Sequence, residues 1–189
     1  MSKLFVDEIV HQSSQGSGTI TLGASGEKID LGATAGGTLS SRPNFLAFLT
    51  ANQTITNATW TKVQFDSEVY DADSVYDNST NYRFTVPSGK AGKYLIHYKA
   101  RLNAVSNDNM IESFMGIYKN GSQITQPTNQ FNTNYIKVNT IAETYIIDLA
   151  VNDYIEIFAY INDTSGSPRI DGNTTLQRTH FGATRLIGA

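Results

Sequence analysis

The sequence predicts an all-β protein, an antiparallel sandwich or barrel of about nine or ten strands. Three observations carry this. Apolar and polar residues alternate with period two in several runs, most clearly over Tyr94-Leu95-Ile96-His97-Tyr98-Lys99-Ala100-Arg101-Leu102. Turn signals rich in Gly, Pro, Asn and Asp recur every ~8–15 residues. No amphipathic helical stretch of useful length occurs between them.

In chain order, residues 1–43 differ from the remainder. They hold seven of the 15 glycines and no Tyr or Trp. Ile20-Thr21-Leu22-Gly23-Ala24 is echoed by Ile29-Asp30-Leu31-Gly32-Ala33. Each copy is a short strand with two apolar side chains and a glycine turn, and neither can bury that pair alone. The composition fits two readings, a disordered linker or an extended β shaft stacked from three chains, preceded by an anchor.

From Asn44 a compact domain is expected to begin, so the predicted division is 1–43 and 44–189. Phe45-Leu46-Ala47-Phe48-Leu49 is a continuous apolar run. Thr54 to Phe65 alternates loosely and contains Trp60, the one tryptophan. A lone Trp suits a core or interface anchor; stacking on a sugar is its alternative use. Val63-Gln64-Phe65 reads as a strand, Asp66 to Asn81 as an acidic loop, and Tyr82 to Val86 as a strand closed by Pro87-Ser88-Gly89. Met110 to Lys119 is a strand running into Asn120-Gly121, the strongest hairpin signal present, because a type I′ turn needs positive φ at both centres. Residues 125–140 read as a long loop plus a strand. Thr144 to Leu149 is a strand, Val151 to Tyr154 a turn, and Ile155 to Ile161 a strand. Asp163 to Asn173 is a loop, and Thr175 to Ile187 closes the domain.

Several of these residues, Phe65, Tyr76-Asp77, Phe84, Pro87, Gly92, Tyr94, Ile96 and Tyr98, stand in the order Phe, Tyr-Asp, Phe-x-x-Pro, Gly-x-Tyr-x-Ile-x-Tyr. That pattern resembles the core signature of C1q/tumour-necrosis-factor-like domains over residues 44–189. The closing Phe181-Gly182 and Leu186-Ile187 resemble the family's last strand, with Thr184 and Arg185 extra between the halves. Asn152 stands where the family's turn usually has Gly, and Asn tolerates left-handed φ. The resemblance implies a ten-stranded antiparallel jelly roll and a homotrimer. The opening Lys3-Leu4-Phe5-Val6-Asp7-Glu8-Ile9 resembles the starts of tail and fibre proteins of marine bacteriophages.

Composition bounds the chemistry. Charged residues are 16% and the formal net charge is −3, which argues against a broad nucleic-acid footprint. Cysteine is absent, so neither disulfides nor thiolate chemistry is available. No segment approaches the ~18 apolar residues of a membrane span, and Met1 to Glu8 lacks the apolar core of a signal peptide. The expectation is a protein made in a host cytoplasm that ends in a virion, released by a route such as lysis.

Catalytic signatures are missing. His11, His97 and His180 show no zinc-ligand spacing, no Gly-x-Ser-x-Gly elbow occurs, and Thr38 stands where a P-loop would need Lys after Gly37. The acidic cluster offers calcium ligands at Asp71, Asp73 and Asp77, or else turn caps. Paired carboxylates for glycoside hydrolysis lack a cleft around them. Asn-x-Ser/Thr triplets at Asn52, Asn57, Asn78, Asn162 and Asn173 follow the Asn/Thr-rich composition.

The sequence therefore leads to a non-enzymatic virion protein, a trimeric tail or head fibre or spike. Its N-terminal segment would be a virion anchor joining other virion proteins, and its head would bind a bacterial surface glycan or protein. The alternatives are a capsid decoration protein and a free C1q-like recognition module. Tyr94, Tyr98, Phe114, Phe158 and Tyr160 are the expected core and trimer residues. Recognition is assigned to loops through Asp73, Tyr76, Asn78, Asn129, Phe131, Asn134, Asp163, Arg169 and Asn173.

Overall fold

The computed structural model describes residues 42–106, 109–132, 135–164 and 167–186. Nearly all of the expected anchor and shaft, and Asn134 among the expected binding residues, lie outside the described residues.

Two antiparallel sheets form the domain, and among the described residues there is no helix. The strands in chain order are β1 (Asn44–Phe48), β2 (Gln53–Thr54), β3 (Thr61–Lys62), β4 (Ser67–Ala72), β5 (Tyr76–Asp77), β6 (Arg83–Thr85), β7 (Gly92–Asn103), β8 (Met110–Lys119), β9 (Ser122–Gln123), β10 (Thr128–Gln130), β11 (Val138–Leu149), β12 (Tyr154–Asp163), β13 (Arg169–Ile170) and β14 (His180–Arg185). The first sheet runs β11-β7-β14-β1-β4, with β13 and β2 extending it beside β7. The second runs β10-β8-β12-β6-β5, with β3 beside β12 and β9 beside β8. Five of these fourteen strands, β2, β3, β5, β9 and β13, are two-residue pieces, and the other nine are longer.

The core lies between the sheets and follows from the alternation. In β7 the residues Tyr94, Ile96, Tyr98, Ala100 and Leu102 are buried, while Leu95, His97, Lys99 and Arg101 between them are only half-buried. The other sheet contributes Phe84, Met115, Ile117, Ile155, Ile157, Ala159 and Ile161. Aromatic contacts stitch the two together: Phe45 to Phe84 at 5.5 Å, Phe84 to Tyr94 at 5.3 Å, and Phe45 to Tyr76 at 4.7 Å between ring centroids. Burying each such ring contributes about 1.5–3 kcal/mol. Buried tyrosine hydroxyls find partners, as they must in a dry core. Tyr94 donates to the Lys90 carbonyl at 2.6 Å and Tyr98 to Glu143 Oε2 at 2.9 Å.

The turns obey local chemistry. Asn120 and Gly121 both have positive φ, 51° and 79°, as the type I′ hairpin between β8 and β9 requires. Asn152 adopts φ 69°. Despite the extra Thr184 and Arg185, β14 keeps one unbroken register on β7, from His180 opposite Lys99 to Arg185 opposite Tyr94.

Three expectations are corrected. Val63-Gln64-Phe65 is not a strand; the ladder is β3, one step earlier, and Val63 and Phe65 are buried in the link that follows. Asp66 to Asn81 is not one loop, because β4 and β5 lie inside it. As an edge strand, β4 leaves Val69 and Tyr70 exposed, so its side chains show no apolar alternation. Phe114, Phe158 and Tyr160 are not in the core; they are half-buried on the outer face of the second sheet. Strands β8 and β12 are apolar on both faces, and the smaller residues took the inside.

Candidate functional site

Two outer faces and a set of loops could meet a partner. The expected loop residues divide sharply. Tyr76 is a core residue, stacked on Phe45 at 4.7 Å with its hydroxyl donating to the Phe65 carbonyl at 3.2 Å. Burial pushes that phenol well above its ordinary value. Asp163 is buried at the end of β12, where its backbone exchanges hydrogen bonds with the Asn57 side chain, N to Oδ1 at 2.8 Å and O to Nδ2 at 3.0 Å. Phe131 packs against the core. The corrections at Tyr76 and Asp163 share one cause: an aromatic or acidic residue amid polar neighbours reads as loop, yet its side chain turns inward; Phe131 stays half-buried outside the strands. Asn129 is exposed, but in β10 rather than a loop. Arg169, half-exposed in β13, donates through Nε to the buried Asp171 at 2.8 Å. Asn173 caps its own turn, its Oδ1 accepting from the amides of Thr175 at 3.0 Å and Leu176 at 2.6 Å. Asn78 is half-buried beside exposed Ser79 and Thr80.

The calcium candidates are not gathered into one site. Asp71 spends its two oxygens on the amides of Val75 and Tyr76, both at 3.0 Å. Asp77 accepts from the amides of Ser79, Thr80 and Asn81, and these hydrogen bonds hold its carboxyl far below the usual range, with Thr80 the largest contributor. Asp73 takes a left-handed turn position at φ 71°. Among the described residues, no three His, Asp or Glu side chains converge in a metal-holding group.

The outer face of the first sheet is read from its registers. One row crosses it as Tyr70, Leu46, Gly182, His97 and Thr144. The next runs Ala72, Asn44, Thr184, Leu95 and Ile146. Tyr70 is 46% and Ile146 55% exposed, so an apolar surface faces outward there. Its margin is β11, twelve residues paired with β7 on one side and, among the described residues, with nothing on the other. That edge carries neither Lys nor Pro, and its charged residues are Glu143 and Asp148.

The outer face of the second sheet is an aromatic shelf. Tyr160 lies opposite Phe114, Phe158 opposite Gly116, and Glu156 opposite Tyr118. The Phe114 and Tyr160 rings stack at 5.0 Å, and Tyr118 and Phe158 meet at 4.2 Å. Trp60, just before β3, sits 5.8 Å from Tyr160, 6.2 Å from Phe114 and 6.1 Å from Tyr118. Since β8 is two strands away from β3, the indole leans across β12 to reach it. Polar groups close both ends. Glu112 accepts from Gln130 Nε2 at 3.1 Å, Asn162 Nδ2 at 3.3 Å and the Tyr160 hydroxyl at 3.5 Å. Lys62 pairs with Glu156 at 2.5 Å at the other end. Desolvation first, then Glu112, raises the Tyr160 hydroxyl above its ordinary value. Alongside Tyr118 lies a hollow of about 280 Å³ lined by Gln123, Ile124, Thr125 and Gln126. The sequence singled out Trp60, Phe114, Phe158 and Tyr160 but neither Tyr118 nor the shelf, since only the pairing of β8 with β12 brings these residues together.

Comparison with known proteins places the fold. No family model matches the chain, and no curated protein matches its sequence. Among solved structures, murine APRIL at pH 8.0 is similar with a TM-score of 0.55 at 11% identity, covering 77% of this chain and 99% of that one. Murine APRIL at pH 8.5 gives 0.51 at 12% identity, covering 76% and 99%. These are TNF-family jelly rolls, and the domain shares their architecture.

Proposed function

We propose that this chain is a virion structural protein of a bacteriophage, a homotrimeric fibre or spike. Its TNF-like head binds a host surface multivalently and without catalysis. The observation that carries the trimer is the outer face of the first sheet: exposed Tyr70 and Ile146 with half-buried Leu46 and Leu95 between them, continuous with the edge of β11. A closed ring of copies would cover both the patch and the edge, and closure stops the pairing from running on into a filament. Three heads on one shaft turn weak single contacts into avidity. The virion assignment rests on the opening Lys3 to Ile9 and the glycine-rich stretch that follows.

Sedimentation velocity of the full chain at micromolar concentration tests the assembly. A trimer is expected, and Ile146→Lys should dissociate it while leaving the circular-dichroism spectrum unchanged. A monomeric wild-type chain overturns the reading. Mass spectrometry of purified virions tests the location, and absence of the chain from particles rejects it.

A further inference from the structure

We infer that the aromatic shelf on the outer face of the second sheet is a carbohydrate-binding platform for a surface glycan; this rests on the host-binding reading above and gives it a ligand class. Placing five large aromatic side chains on a sheet's solvent side forfeits burial that the core could have used. The proposed trimer contact uses the first sheet, so this face of the second sheet is left over for a ligand.

The chemistry of the shelf selects the ligand. A pyranose presents axial C–H bonds on one face and hydroxyls around its rim. It therefore needs an apolar, electron-rich floor with hydrogen-bonding groups at the margins. Trp60, Phe114, Tyr118, Phe158 and Tyr160 supply the floor, and the indole leaning across β12 presents the widest ring. Planar amides and a carboxylate stand at the margins: Glu112 with Gln130 and Asn162 at one end, and Gln123 and Gln126 beside Tyr118 at the other. The Glu112 oxygens are held in place by their neighbours, so they are oriented before any ligand arrives. The adjoining hollow lined by Gln123, Ile124, Thr125 and Gln126 is shallow and open, and extends the platform sideways. Charge argues the same way. Among the described residues, Lys62 is the cation ion-paired on this face, and Glu156 is its partner, which leaves little to steer an acidic protein or a nucleic acid.

The sole tryptophan makes the site report on itself. Trp60 emission of the full chain is followed against arrayed and soluble bacterial polysaccharides (O-antigen, capsular and teichoic-acid preparations, mannan and dextran). In parallel, the chain is scored for binding to a panel of marine bacteria, untreated, periodate-oxidised or protease-treated. The expected result is a shifted emission with at least one polysaccharide and cell binding that periodate abolishes. Tyr118→Ala should weaken both at least tenfold, and Trp60→Ala, which removes the fluorophore, should weaken cell binding to the same degree. Glu112→Gln, which keeps the side-chain shape, should weaken them several-fold with an unchanged melting temperature. If cells are bound but binding survives periodate, is lost to protease and is indifferent to all three variants, the ligand is a protein and the inference is overturned, while host binding stands. If neither glycan nor cell is bound, both readings fall together.

Discussion

Gly182 lies directly under the His97 ring: a Cβ built on it would stand 2.5 Å from Nε2 and 2.8 Å from the Phe45 carbonyl oxygen. The two residues are register partners on β14 and β7, in the middle of the apolar outer face. Glycine is therefore required by close approach rather than by backbone angle. Gly182→Ala is expected to destabilise the head by about 1–3 kcal/mol through overpacking. Chemical denaturation measures it, and His97→Ala in the same chain should restore part of the loss.

The same histidine predicts a pH dependence. Burial first, and then the charge of His180 at 6.3 Å, lower the His97 pKa from its ordinary value of 6.5. Lys99, opposite His180, adds a further cation on that face. Since the folded state disfavours protonation, the unfolded chain binds more protons in acid. The contribution to stability is present above pH 6.5 and is lost as pH falls below it. Thermal unfolding between pH 5 and 8 should show a decline on the acid side that His97→Gln flattens. If the trimer seats on this face, its dissociation shifts over the same window.

Tyr76 separates core from loop. Tyr76→Ala removes a stacked ring from beside Phe45 and Phe181, and is expected to cost about 3–5 kcal/mol, the range for large aromatic deletions. Asn78→Ala, two residues on, should move stability by no more than about 0.5 kcal/mol. Equal effects of the two in urea unfolding would contradict the placement of Tyr76.

A fourth test concerns two turns that share one carboxylate. Asp153 accepts from Asn120 Nδ2 at 2.7 Å and the Ala150 amide at 2.8 Å, and pairs with Lys119 at 2.9 Å. With the Asn120 bond the largest cause, its pKa is lowered from 3.8 to about 2. Its contribution is therefore present above pH 3.8 and disappears as pH falls through about 2. Asp153→Asn should lower the melting temperature at pH 7 and have little effect near pH 2. Gly121→Ala, at φ 79°, should cost about 1–2 kcal/mol from left-handed strain at any pH.

Much of the fold was legible because β7, β8 and β12 write their geometry locally. Tyr94 to Leu102 alternate, Asn120-Gly121 names its turn, and Asn152 names the next. The faces of β8 and β12 were not legible. Phe114 and Met115 are both large and apolar, so parity carries no information, and the choice was made by the volume between the sheets. The aromatic shelf was hidden for the same reason, since its members come from residues 60, 114–118 and 158–160 and meet only through pairing. Tyr76 was misread because its neighbours Asp73, Asp77 and Asn78 are polar, although its own ring fills the gap beside Phe45.

The place of β1 between β14 and β4 sets the order in which the protein can be made. Asn44 pairs with Thr184, so the first strand of the domain waits for the last. At a translation rate of ~5–20 residues per second, the ribosome needs roughly 7–28 s to deliver the about 140 residues between them. Through that interval Phe45 and Ala47 have only β4 beside them, and the sheet's centre stays open. Co-translational folding can complete the β8–β12 ladder early, but the domain closes only after synthesis has passed Arg185. Stalled or truncated chains would expose an unfilled slot between β1 and β7 shaped for β14, into which the last strand of another nascent chain could insert.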